Sequence, residues 1–156
     1  MHTMSSGTVS MYTKRLITVA ATFLLSISTV PQSSAEPPFE MTTGGMQYKT
    51  LLEGDGTPAT VGQIVHIHFV AWIDESGQKG RELFNSRRNK GLVSYVLGTD
   101  TILPALNEGV VGMKPGGRRL LMAPPVFAYG KRGVDDVVPP NSSLILLVDL
   151  VATEPD

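Results

Sequence analysis

Residues 144–151, Leu-Ile-Leu-Leu-Val-Asp-Leu-Val, form an apolar run broken only by Asp149. A run of this length suits a strand with little exposure, and a strand needs neighbours to pair with. The neighbours are legible. Gln63–Ile73 (QIVHIHFVAWI) is rich in β-branched and aromatic residues, and Met46–Glu53, Leu92–Leu97 and Arg118–Ala123 read as three more strands. Between Asp100 and Gly112 the period changes: Leu103, Leu106 and Val110 fall on one helical face, Asp100 or Thr101 suits the cap, and Pro104 suits the first turn. One short helix among about five strands implies an α+β fold in which an antiparallel sheet curls over that helix.

The 156 residues allow one domain with a real core but hardly two. Thirteen basic residues against fourteen acidic ones give neither a nucleic-acid footprint nor a polybasic membrane patch. Cysteine is absent, which excludes disulfides, thiolate chemistry and cysteine metal sites. Lys14-Arg15, the apolar run Leu16–Val30 and then Ser33-Ser34-Ala35 follow the order of an export signal, so the expected mature chain begins at Glu36. It would keep 11 basic and 14 acidic residues and no membrane span. Residues 36–45 read as a linker, and 46–153 as the folded domain.

The loop before the last strand is unusual. Phe127 and Tyr129 precede a segment of loop chemistry (Gly130 to Asp136) that also carries Val134, Val137 and Val138, and Pro139-Pro140 stiffens its end. Apolar residues on a stiff loop suggest a flap over an apolar ligand. The familiar catalytic patterns find little support. Gly54-Asp-Gly-Thr-Pro-Ala59 carries a proline where a phosphate loop needs a helix start, so it reads as a turn. His66 and His68 share a strand face but lack a third ligand. Asp135-Asp136 reads as loop chemistry, Ser86 and Ser142 have no nucleophile motif around them, and Asn141-Ser-Ser143 is only a formal glycosylation sequon. One reaction needs no such group. Rotation about an X–Pro bond has a barrier of roughly 18–20 kcal/mol because amide resonance is lost on twisting. The twisted amide is less polar than the planar one, so a dry apolar pocket with one or two hydrogen-bond donors favours it.

The stretches VGQIVHIHFVAWI, ELFNSRRNKG, YVLGTDTILPALNEGVVGMKPGGRR and APPVFAYGKRGVDDVVPPNSSLILLVDLV resemble the FKBP-type peptidyl-prolyl cis–trans isomerases from about Gln47 to Val151. Leu-Gly, Glu-Gly-Val, Met-x-x-Gly-Gly, Ala-Tyr-Gly and Pro-Pro-Asn come in family order. The resemblance implies a half-barrel on a short helix. It also implies a pocket walled by Phe69, Phe84, Val93, Ile102, Leu103, Leu106, Tyr129, Val138 and Leu146, with Asn85 beside it and Val134 and Val137 as flap. Tyr129, Phe84 and Leu103 carry the catalytic expectation, the Tyr129 hydroxyl and the Leu103 N–H being donors to a substrate carbonyl. Four positions depart from the family: Leu106 stands for the usual Trp floor, Asn85 for an acid, and Val93 and Leu146 for aromatic residues. The resemblance further implies an enzyme without cofactor or metal, monomeric, acting on proline-containing polypeptides and binding no nucleic acid. It is most like the thylakoid-lumen branch, with the bacterial periplasm or a secretory route as alternatives. A catalytically weak proline-binding or assembly-assisting module of the same fold is the second functional reading.

Overall fold

The computed structural model describes residues 35–89 and 91–155. The expected leader therefore lies, but for Ala35, outside the described residues. The strands are β1 (Glu40–Met41), β2 (Gln47–Leu52), β3 (Ile64–Glu75), β4 (Gln78–Asn85), β5 (Val93–Val96), β6 (Arg118–Ala123) and β7 (Leu144–Glu154). They form one antiparallel sheet in the order β1-β2-β6-β7-β3-β4, with β5 pairing the first half of β3. The helices are α1 (Ser86–Asn89), a single turn, and α2 (Pro104–Val110).

The five expected strands are present, and two more join them. β1 falls in the segment whose composition reads as a linker. It is held there by cross-chain contacts: the Tyr48 hydroxyl donates to Glu40 (3.0 Å), and Lys49 Nζ pairs with Glu36 (2.9 Å) and lies 4.7 Å from the Phe39 ring centroid. β4 falls in the polar stretch after the Asp74–Gly77 turn, where pairing with β3 outweighs the low strand propensity of Gln78, Lys79 and Gly80.

Alternate residues of the central strands build the core. Val65 and Ile67 of β3, Leu121 of β6 and Leu144, Leu146 and Val148 of β7 are fully buried on the concave face. Each contributes about 1.5–3 kcal/mol relative to an exposed side chain. Helix α2 lies against this face. A Cβ on Gly109 would fall 2.3 Å from Leu121 Cδ1, so only glycine lets the helix approach this closely. Arg119 secures its far end. Nη1 donates to the carbonyls of Gly109 (3.0 Å) and Val111 (2.9 Å), which the ending helix leaves free, and the guanidinium lies 4.5 Å over the Tyr48 ring.

On the opposite, convex face Asp149 accepts hydrogen bonds from Arg87 (3.0 Å) and Arg118 (2.5 Å). Burial alone would raise the Asp149 carboxyl, but hydrogen bonds from Arg118 and Arg87 and their attraction outweigh it and hold the group below its ordinary value of 3.8. A depressed carboxylate stabilises the fold above its unfolded value, and that stabilisation fades as pH falls through the folded one. Asp149→Asn should therefore lower stability at neutral pH and flatten its fall below about pH 4. Urea midpoints for both proteins at neutral and acid pH check this; parallel curves would show that the pair carries no linkage.

Candidate functional site

A cavity of about 490 Å³ opens between the concave face, the start of α2 and the loop before β7. Phe69 and Ala71 come from β3, which shows the same face at every second residue. Phe84 stacks on Phe69, with ring centroids 4.8 Å apart and planes 24° apart. A bulge lets a second residue of β4 join it. Phe84 opposes Ala71 while Glu82 opposes Trp72, so Leu83 is extra and also reaches the cavity. Val93 enters from β5, and Leu106 of α2, fully buried, forms the floor.

The segment before α2 supplies Asp100, Thr101, Ile102 and Leu103, and α2 itself begins at the lining residue Pro104. Asn107 holds that segment in place: its Oδ1 accepts from the Gly98 N–H (3.0 Å), and its Nδ2 donates to the Thr99 carbonyl. The loop carries Tyr129, Val134, Val137 and Val138 over the opening. It is tied to itself rather than free. Val134 and Val138 exchange two backbone hydrogen bonds of 2.8 Å, Gly133 N–H donates to Tyr129 O (3.2 Å), and Arg81 donates to Val137 O. Val138 is buried as a wall, whereas Val134, Val137 and Tyr129 are 39%, 46% and 40% exposed. Among the described residues, neither the Tyr129 hydroxyl nor the Leu103 N–H has a hydrogen-bond partner.

Ten of the twelve residues expected from the sequence line this cavity: Phe69, Phe84, Val93, Ile102, Leu103, Leu106, Tyr129, Val134, Val137 and Val138. Two do not. Leu146 is fully buried in the middle of β7, opposite Ala71 and Leu121, and packs in the core beneath the site. Asn85 follows Phe84 on β4 and opposes Val70, a convex-face residue; its Oδ1 is buried and without a hydrogen-bond partner among the described residues. Ala71, Leu83, Asp100, Thr101 and Pro104 line the cavity without having been expected. Strand alternation from Phe69 signals Ala71, and adjacency to Leu103 signals Pro104, but the bulge that admits Leu83 leaves no mark in the sequence.

The histidines lie elsewhere. His68 opposes Asp149 on the convex face, its Nδ1 3.1 Å from Ser86 Oγ; His66 Nδ1 is 2.6 Å from Ser94 Oγ. Ser86 Oγ also accepts from the Phe69 N–H (3.0 Å), so this serine fixes the strand that carries the cavity wall. Among the described residues no group of three or more His, Asp or Glu could hold a metal ion. A second depression of about 490 Å³ lies between β1 and the end of α2, but its charged groups are spent on structure: Arg119 on the helix carbonyls, Glu108 on the Gly44 N–H (3.2 Å).

Residues 55–151 match the model of the FKBP-type peptidyl-prolyl cis–trans isomerases. The chain belongs to that family. It is similar to an FK506-binding protein of Streptomyces anulatus, with 36% identity over 119 residues, 75% of this chain and 89% of the relative. It is also similar to the Arabidopsis thaliana peptidyl-prolyl cis–trans isomerase FKBP16-4, chloroplastic, with 33% identity over 82% of this chain and 55% of that one. Among solved structures, FkpA from Escherichia coli superposes with a TM-score of 0.65 at 30% identity, covering 75% of this chain and 52% of FkpA. The enzyme class of this FKBP-type chain is that of the family, peptidyl-prolyl isomerase. The antiparallel sheet on a short helix is the shared fold.

Proposed function

We propose that this FKBP-type cavity accelerates rotation about X–Pro bonds in exported polypeptides, without covalent or acid–base chemistry. The observation that carries the reading is a pair of donors without partners among the described residues, the Tyr129 hydroxyl and the Leu103 N–H, on a cavity otherwise walled by Phe69, Phe84, Leu106 and Val138. A proline ring fills the apolar space, the donors hold a neighbouring carbonyl, and the less polar twisted amide gains over the planar one. Lowering the barrier by about 6 kcal/mol speeds rotation about ten-thousandfold. Tyr129, Phe84 and Leu103 are the residues assigned to this step, and the remaining lining binds substrate. The leader pattern and the chloroplastic relative support an exported location, with the thylakoid lumen preferred.

Tyr129→Phe removes one neutral hydrogen bond, worth about 0.5–1.5 kcal/mol, and keeps the wall, so kcat/KM on a prolyl tetrapeptide should fall only several-fold. Because His66 and His68 lie outside the cavity, kcat/KM should stay level from about pH 6 to 9. A sharp step near neutrality would reject the base-free reading. A parent rate equal to the uncatalysed one, with a proline peptide still bound, would leave the proline-binding module in its place. The Leu106 floor gives a further expectation: macrolide ligands of the family bind weakly, and Leu106→Trp tightens them by about 1–3 kcal/mol through added apolar area and stacking. Calorimetry on both proteins measures the difference; tight binding by the unmodified chain would remove the floor argument.

A further inference from the structure

The run 144–151 is largely apolar on both faces of its strand, and α2 with the cavity takes up only one. The pairing register places Val70, Leu147 and Leu120 side by side on the convex face, and Trp72, Ile145 and Met122 in the next row. Ile145 at the centre is 2% exposed, shielded by these neighbours, while the other five are partly exposed. Antiparallel sheets with one solvated face ordinarily turn polar residues outward, so a grid of six apolar side chains is a departure. A depression of about 360 Å³ lined by Met122, Gln47, Met41 and Asp74 extends the Trp72 row.

We infer that this face is a second contact for the client polypeptide, taking an extended, uncharged apolar segment a few residues from the proline held in the cavity. The inference rests on the isomerase reading for the identity of the client, and three observations favour this occupant. The grid covers about 200 Å² at ordinary strand and residue spacings, far below the roughly 800 Å² per partner of a stable protein interface, so it suits a segment rather than a second folded copy. The charges around it are already neutralised within the chain: Lys49 by Glu36, Arg118 and Arg87 by Asp149, and Arg88 by Glu82. Lys79 lies 4.5 Å over the Trp72 ring. Neither a strongly acidic nor a strongly basic partner is called for. Finally, β4 is the last strand of the sheet, and among the described residues no strand pairs its outer edge between the cavity wall at Phe84 and the grid at Val70 and Trp72, the flap meeting that strand through Arg81 and the Val137 carbonyl. About six extended residues, some 20 Å of chain, span that edge.

Trp72 is the chain's single tryptophan and sits in the grid, so its emission reports on this face. A proline-free, uncharged peptide of alternating Leu and Ser should shift Trp72 emission to the blue in the unmodified protein, saturably. Replacing Leu120 and Leu147 together by Thr, which keeps strand propensity, should weaken that binding at least tenfold and leave prolyl-tetrapeptide kcat/KM within twofold. Absence of the emission shift in the parent overturns the inference, as does equal peptide binding by parent and variant. A concentration-dependent dimer of the parent, lost in the variant during sedimentation, would overturn it in favour of a second copy. If the double variant fails to fold, the parent titration alone decides. A parent that binds the proline-free peptide yet shows no catalysis of the tetrapeptide sinks the isomerase reading without touching the convex face.

Discussion

Phe84→Ala should lower kcat/KM on a prolyl peptide about a hundredfold, corresponding to roughly 3 kcal/mol. Phe84 does two things in the cavity. Its ring stacks on Phe69 at 4.8 Å, fixing the orientation of a wall, and in the proposed mechanism its bulk keeps water from the space where the amide would twist. Alanine removes both, and water admitted there restores the advantage of the more polar, planar amide. The fold should lose less than the activity, because Phe84 is only partly buried and the core beneath it, Leu146, Leu121 and Val148, is untouched. Phe84→Leu, which refills most of the volume, should recover most of the rate. The measurement is kcat/KM for the three proteins, with urea unfolding as control. A folded Phe84→Ala protein within threefold of the parent would mean that the substrate does not bind in this cavity.

The architecture was legible wherever side-chain pattern alone determines structure. Leu144–Val151 announces a buried strand because seven of its eight residues are apolar, and Leu103, Leu106 and Val110 announce α2 by their spacing. β1 and β4 were not legible for the opposite reason. Glu40, Met41, Gln78, Lys79 and Gly80 carry no periodic signal, and their strand conformation comes from backbone pairing with β2 and β3. The site was legible by another route. The ten expected residues that line the cavity were placed by family resemblance rather than by periodicity, and one of them, Phe84, lies on β4, which carries no periodic signal. Leu83 depends on a bulge, and Asn85 leaves the lining because the strand turns it to the other face. The apolar convex face was already implicit in the run 144–151, whose lack of alternation is a two-sided pattern. The sequence does not show which of its two faces the helix covers.

Gly133→Ala should disable the flap out of proportion to its effect on the fold. Gly133 has φ +67°, and a Cβ there would fall 2.2 Å from the Val138 carbonyl oxygen and 2.9 Å from the Pro139 carbonyl carbon. Both obstacles are backbone, so no rotamer change relieves the clash. The left-handed conformation costs alanine about 1–2 kcal/mol, and the overlap adds a further 1–3 kcal/mol or so unless the loop moves. The loop can move, and the cheapest path breaks the paired Val134–Val138 hydrogen bonds and withdraws Val138 from the wall. The core strands need not follow. Prolyl-peptide kcat/KM should therefore fall more than tenfold while the urea midpoint falls modestly. Gly77→Ala separates conformational strain from the clash, because Gly77 has φ +85° with nothing within 4 Å of its would-be Cβ and lies at the β3–β4 turn, outside the cavity lining. It should cost about 1 kcal/mol of stability and leave catalysis unchanged. Equal activity in both variants would show that the flap's position is immaterial to the reaction, and would leave the exposed Val134 and Val137 without a role over the proline.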